Sequence, residues 1–493
     1  MTPPERRTAI PARQQEPLLP GRQRQQSREL APRRHRDAAI GRTTTMNSPF
    51  VLPLPGSREL ALARAWLQLG IAALVAAGLY SLLLVASRTP AVQEWVPWLD
   101  LFHVVLVVHV DLSVFIWFMA FASMLWSLST PVRGGRGAWV VAAGATLLVA
   151  LSPLLGADRP LLNNYIPVLD HPLFLLLLGL FAGGVLLQAI LTAGKLGRAG
   201  GDDNVARFGL GAALLPLFLA AGALLWTGWR LPAGFEGEAH YEYLFWGAGH
   251  LLQFTWTALV LVAWLWLAES SGARLPLSPR AARRLLALVV APALAAPLVY
   301  ATYPVESNAL RVAFTELMRW GGLATLPLAA AVVVAVVRAP SAHGRARPLR
   351  AALLASMTLF ATGGVIGFLI EGVNVVIPAH YHGSIVGVTL AFMGLTCHLL
   401  PHLGWSQPAI RLATWQPWIY GGGQLMHILG LAWSGGYGVQ RKTAGAAQGL
   451  DHLGEIAGMA LMGLGGLVSI IGGLLFLVVV IGAMTGRRRG ATD

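Results

Sequence analysis

From about residue 60 onward the chain alternates between long apolar stretches and short polar loops, and no soluble segment intervenes. Twelve stretches are long enough to cross a bilayer, which takes about 20 apolar residues in a helix. They run roughly over 62–87, 101–128, 137–156, 172–194, 206–228, 242–268, 282–303, 316–338, 350–377, 379–403, 416–436 and 455–485. Lipid offers the backbone no hydrogen-bond partner, so segments of this kind must close their own bonds as helices. The pattern therefore predicts an all-α integral membrane protein, a bundle of twelve transmembrane helices. Small-residue runs such as Gly363-Gly364 and Gly463-Leu464-Gly465-Gly466 predict places where helices approach closely.

The polar positions orient the bundle. Arg and Lys crowd one set of loops, around 133–136, 195–207, 274–284, 338–350, at Arg411 and at 487–489. The opposite loops hold only Arg88, Arg159, Arg230, Arg311, Arg319 and the pair Arg441-Lys442. Positively charged loops stay in the cytoplasm, so both termini should be cytoplasmic in a bacterial-type inner membrane. Residues 1–61 read as a basic, disordered cytoplasmic tail. Its first 46 positions carry ten Arg against four acidic residues and no apolar core of a secretory signal. Met46 is a possible true start. Residues 62–485 form the membrane domain, and 486–493 a second basic tail.

Composition narrows the chemistry. The chain of 493 residues is 55% hydrophobic and 12% charged. Its net charge of +14 comes from the tail and the loops, and is not a nucleic-acid footprint. The single cysteine, Cys397, excludes internal disulfides, cysteine-based metal clusters and covalently attached c-type haem. Any metal must be held by histidine or carboxylate.

Histidine is costly in a bilayer and marks function there by default. The tenth stretch opens with Ala379-His380-Tyr381-His382-Gly383. At about 100° per residue, the rings of His380 and His382 point about 200° apart, so one helix can serve two cofactors. With the predicted topology the second, sixth and tenth stretches all enter from the outer face. His109 and His250 then lie ~12 Å inside, at 1.5 Å per residue. A low-spin haem needs two facing axial ligands, and a reactive haem needs one ligand and an open face. His109 opposite His382 suits the first and His380 the second, with His250 lining the open face. Other candidates carry a plainer reading. His103 suits an interface or a haem propionate. Glu306 and Glu371 suit solvated helix ends. His398, His402 and His427 suit structural roles, and His171 and His240 face loops.

These segments resemble subunit I of the haem-copper oxidase superfamily, the cytochrome c oxidases and their nitric oxide reductase relatives, over about 62–485. AHYHGSIVGVTLAFMG resembles that family's tenth helix, LVVHVDLSVFIWFMAF its second, FWGAGHLLQF its sixth and GGVIG the approach to its tenth. QLMHILGLAWSGGYGVQRK resembles its eleventh helix and the following basic pair. The resemblance implies two haems, a low-spin one on His109 and His382 and a high-spin one on His380. It also implies copper or non-haem iron on His250, and propionate contacts from Arg441 and Lys442. It further implies a terminal reductase acting on dioxygen or on nitric oxide. Electrons would come from a cytochrome c or cupredoxin-type donor, through a second oxidase subunit.

The chain departs from the family in two places. The family's adjacent histidines of the seventh helix align near Val299-Tyr300, and the segment PLVYATYPVESNAL contains no histidine. Tyr300, Tyr303 and Glu306 are the nearest replacements and become the candidate catalytic residues. Tyrosine and carboxylate favour a harder ion such as iron, because imidazole sites for copper want several ligands. The family's Glu and Tyr after the sixth-helix histidine are Leu252 and Phe254 here. Two rivals remain: a non-catalytic haem conduit or sensor that has lost its second metal, and a transporter. A transporter of this size predicts inverted repeats and broken helices, and the chain shows no strong repeat.

Overall fold

The computed structural model describes residues 48–56, 60–88, 101–130, 132–196, 203–441 and 449–486. Most of the expected N-terminal tail with Met46, the basic tail after Gly486, and Lys442 lie outside these residues.

Among the described residues there are twelve long helices, in the order the apolar stretches predict. They are α1 (Leu60–Arg88), α2 (Phe102–Ser129), α3 (Gly135–Leu151), α4 (Pro172–Leu196), α5 (Val205–Arg230) and α6 (Gly237–Ser270). The second half holds α7 (Pro279–Thr302), α8 (Asn308–Arg338), α9 (Ala346–Phe368), α10 (Val376–Leu399), α11 (Ile410–Gly435) and α12 (Leu453–Thr485). Eleven are long and apolar enough to cross a membrane. The other is α11, made more polar by Gln416, Gln424 and His427. The chain is a multi-pass membrane protein.

Local chemistry sets the boundaries. Helix starts leave backbone N–H groups that a side-chain oxygen can satisfy. Asn204 does this for Arg207 at α5, Ser278 for Ala281 at α7, and Ser307 for Leu310 at α8. Glu455 and His452 cap α12 reciprocally. Helix α9 ends at Phe368, earlier than the apolar run to 377 implies. The reason is a tight connection: Gly372 has a left-handed backbone (φ 71°), and Asn374 accepts the Val376 N–H that opens α10. Proline lacks the N–H that an α-turn requires, and α7 tightens into a 3₁₀ turn over Ala291–Ala295 beside Pro292. In α2 a wide π turn spans Asp111–Ile116, directly after His109. Such turns often sit at functional sites.

Burial places α6 and α10 at the centre. Their apolar windows are 89% and 72% buried, against 28% for α7 and α8. Glycine allows the closest approaches. A Cβ on Gly363 would lie 2.9 Å from the Gly383 Cα, so α9 and α10 meet backbone to backbone. Gly465 of α12 does the same against α11, whereas Gly364 and Gly463 meet open space. Aromatic rings lock α2 to α10, with Phe121 and Phe392 stacked at 4.2 Å. Between α3 and α4 a short hairpin, β1 (Pro160–Leu161) against β2 (Val168–Leu169), pairs Pro160 with Leu169 and Leu161 with Val168. The residues at its tip reach into the bundle.

Candidate functional site

A cavity of about 1650 Å³ opens between α2, α6, α8, α9, α10 and α11. Ordinary small-molecule pockets hold roughly 300–1,000 Å³, so this one has room for more than one large ligand. His103, His109, His250, His380, His382 and His427 all line it, as do Tyr165 and Arg441.

Three of these rings are oriented by main-chain carbonyls of another helix. The His109 Nδ1–H donates to Ala77 on α1 at 2.8 Å, the His380 Nδ1–H to Gly363 on α9 at 2.7 Å, and the His427 Nδ1–H to Met462 on α12 at 3.0 Å. A carbonyl can only accept, so Nδ1 carries the proton and Nε2 keeps its lone pair. That is the arrangement of metal-binding histidine, whose other nitrogen donates to a carbonyl or carboxylate. His380 also packs against Gly367, where a Cβ would approach its Nδ1 to 2.6 Å. His382 leaves α10 toward α11, with its ring 5.1 Å from that of His427. The two rings of the tenth-helix motif thus face different neighbouring helices along one cavity. The donor set of His109, His380 and His382 fits haem.

His250 has a different setting. Its Nδ1–H donates to Trp246 one turn earlier at 2.8 Å. The Tyr165 hydroxyl, from the hairpin tip, lies 2.7 Å from Nδ1 and 3.0 Å from Nε2. The phenol oxygen therefore crowds the imidazole at both ring nitrogens. Asn163 accepts the Tyr165 N–H at 2.9 Å and shapes the turn. Gly249 makes the room, because a Cβ there would collide with the Tyr165 ring. Burial, and next the negative charge of Glu242, push the Tyr165 phenol well above its ordinary pKa of 10.0. Among the described residues no three of His, Cys, Asp and Glu converge as a metal-binding group. The arrangement at His250 does not fit the expected copper or non-haem iron.

Tyr300, Tyr303 and Glu306 do not line the cavity. Tyr300 accepts a bond from Thr227 on α5 at 3.1 Å and packs on Phe314. Its hydroxyl sits against Gly247, where a Cβ would collide with it. Tyr303 is 37% exposed. The aromatic hydroxyl that does reach His250 is Tyr165, which sequence reasoning missed. It also missed the placement of His427 and the buried Asp111. Neither Asp111 carboxylate oxygen has a hydrogen-bond partner.

A polar cluster stands at the rim of the cavity. Glu242 accepts the Asn164 N–H at 2.9 Å and pairs with Arg311 at 3.7 Å. Arg311 lies 4.5 Å over the Trp246 ring, whose N–H donates to the Arg311 carbonyl at 3.0 Å. Arg441 donates to the Asn164 side chain at 2.7 Å. A fixed cation therefore stands at the mouth, where the resemblance implies a propionate contact.

The chain is 31% identical to an uncharacterized protein, RP382, of Rickettsia prowazekii over 502 aligned positions, 86% of this chain and 96% of that one. The two belong to one family. A second uncharacterized relative, from Aquifex aeolicus, is 26% identical and covers 69% of this chain and 85% of its own length. No family model matches the sequence. Among solved structures, a chain of a heme-copper terminal oxidase dimer superposes with a TM-score of 0.66 at 19% identity, over 88% of this chain and 86% of that one. This chain thus has the fold of that oxidase chain.

Proposed function

We propose that the chain is the haem-bearing membrane subunit of a terminal reductase, with dioxygen as the gas it reduces. One observation carries this reading: His109, His380 and His382 open onto one cavity, and two of them have their second ring nitrogen already bonded to the backbone.

His109 and His382 are the residues to hold a low-spin haem, and His380 those of a high-spin one. When bound, the two haems supply an electron relay and one iron with an open position for a gas. The protein supplies the rest. The carbonyls of Ala77 and Gly363 keep each imidazole in the tautomer that can ligate. Arg441, held by Asn164, offers a positive charge to carboxylates at the outer rim. Electrons would enter from the outer face from a cytochrome c or cupredoxin-type donor through a second subunit, since the chain has no cysteine-based entry site. Both termini would lie in the cytoplasm of a bacterial-type inner membrane.

Nitric oxide is the second reading, favoured by the absence of histidine in PLVYATYPVESNAL. The test is the purified full chain: haem count, reduced-minus-oxidised spectra, and consumption of dioxygen and of nitric oxide under an added electron donor. Two haems, one of them binding carbon monoxide, with gas consumption, are expected. A chain free of haem would overturn the reading. Consumption of nitric oxide alone would replace the substrate.

A further inference from the structure

His250 is enclosed by aromatic rings. The Trp246 and Tyr165 centroids stand 5.0 Å from its own, and Phe314 stands at 6.0 Å. Its Nδ1 proton is committed to the Trp246 carbonyl, and the Tyr165 phenol oxygen stands within 3.0 Å of both ring nitrogens. A copper held by imidazole wants several ligands, and among the described residues no three of His, Cys, Asp and Glu converge as a metal-binding group. The helix that could supply them, α7, turns its Tyr300 hydroxyl to Thr227 on α5.

The phenol is not there by accident of packing. Gly249 has no side chain where the ring lies. The hairpin tip is tied down around Tyr165, because Asn163 accepts the N–H groups of Tyr165 and Ile166 and the Asn164 N–H donates to Glu242. The hydroxyl also bonds the side chain of Gln253, one turn along α6. Tyr165, His250 and Gln253 all line the cavity that His380 lines.

We propose that this chain carries haem without copper or non-haem iron at His250, where Tyr165 stands beside the imidazole in place of a set of metal ligands and turns a phenol hydroxyl toward the cavity that His380 lines. The ligand class that suits such a site is a small diatomic gas that accepts a hydrogen bond. The inference rests on the haem reading above, and it removes the binuclear metal centre from it.

The test uses the full chain purified from cells grown with added copper and iron. Haem, copper and total iron are counted in one sample, and the C–O stretching band of the carbon monoxide complex is recorded for the wild type and for Tyr165→Phe. The expected result is iron equal to haem, copper far below one per chain, and a shifted C–O band in Tyr165→Phe with the low-spin haem bands unchanged. One copper or one extra iron per chain, lost in His250→Ala, would overturn the inference while leaving the haem reading intact. An unshifted C–O band would remove the phenol from the gas-binding space. Protein without haem would refute the cavity reading itself, and this inference with it.

Discussion

The Tyr165 hydroxyl meets the imidazole of His250, 85 positions further along the chain, at 2.7 and 3.0 Å from its two nitrogens. The contact exists because Gly249, the residue before His250, leaves the space that the tyrosine ring fills. Gly249→Ala puts a methyl group into that ring, and overpacking of this kind costs about 1–3 kcal/mol. Thermal unfolding in detergent should show the loss. In a Tyr165→Ala background the same change should cost much less, because the colliding ring is gone. Equal costs in both backgrounds would mean that the glycine serves another purpose.

The Tyr165 phenol keeps its proton to higher pH in the folded chain than in the unfolded one, through burial and then through Glu242. The unfolded chain therefore binds fewer protons above pH 10, and stability must fall there as pH rises. The slope contributed by this group is at most about 1.4 kcal/mol per pH unit. Melting temperature against pH should drop less steeply in Tyr165→Phe than in the wild type from pH 10 upward, and the two curves should run parallel below pH 9. Parallel curves throughout would show that the phenol titrates normally.

Removal of each haem ligand should leave a distinct spectrum. His109→Ala and His382→Ala are expected to abolish the low-spin bands while retaining carbon monoxide binding. His380→Ala is expected to lose the carbon monoxide complex and keep the low-spin bands. Pyridine haemochrome counts should fall from two haems to one in each case. A variant of His380 that still binds carbon monoxide at the original band would move that ligand elsewhere, and His427 would become the first alternative, since it lines the same cavity.

Gly367 of α9 faces the His380 ring. A methyl group 2.6 Å from Nδ1 would force that ring to turn and would weaken its bond to the Gly363 carbonyl. Gly367→Ala should therefore alter the carbon monoxide difference spectrum at the His380 site without changing the low-spin bands. Gly463→Ala, which meets open space on α12 and does not line the cavity, is the control and should behave as the wild type.

Much of this was legible in the residues themselves because the signals are local. Twenty apolar positions in a row report a span regardless of what surrounds them, and histidine inside such a run is conspicuous because lipid makes it costly. The motif Ala379-His380-Tyr381-His382-Gly383 already implies two rings on different sides of α10, since helical geometry alone dictates it. The reading of Tyr300, Tyr303 and Glu306 rested on position along the chain. In the folded protein Tyr300 is turned to α5 by its bond with Thr227 and its fit against Gly247.

The sequence by itself determined the membrane, the run of helices and the candidate histidines, because hydrophobic length and the cost of buried polarity are properties of short segments. Only the tertiary structure decided what stands beside each histidine. Tyr165 lies in a polar loop with no pattern to mark it, and the glycine that receives it is on another helix. Their meeting depends on how a hairpin between α3 and α4 folds over the start of α6, a relationship set by packing across the whole bundle and carried by no single stretch of chain.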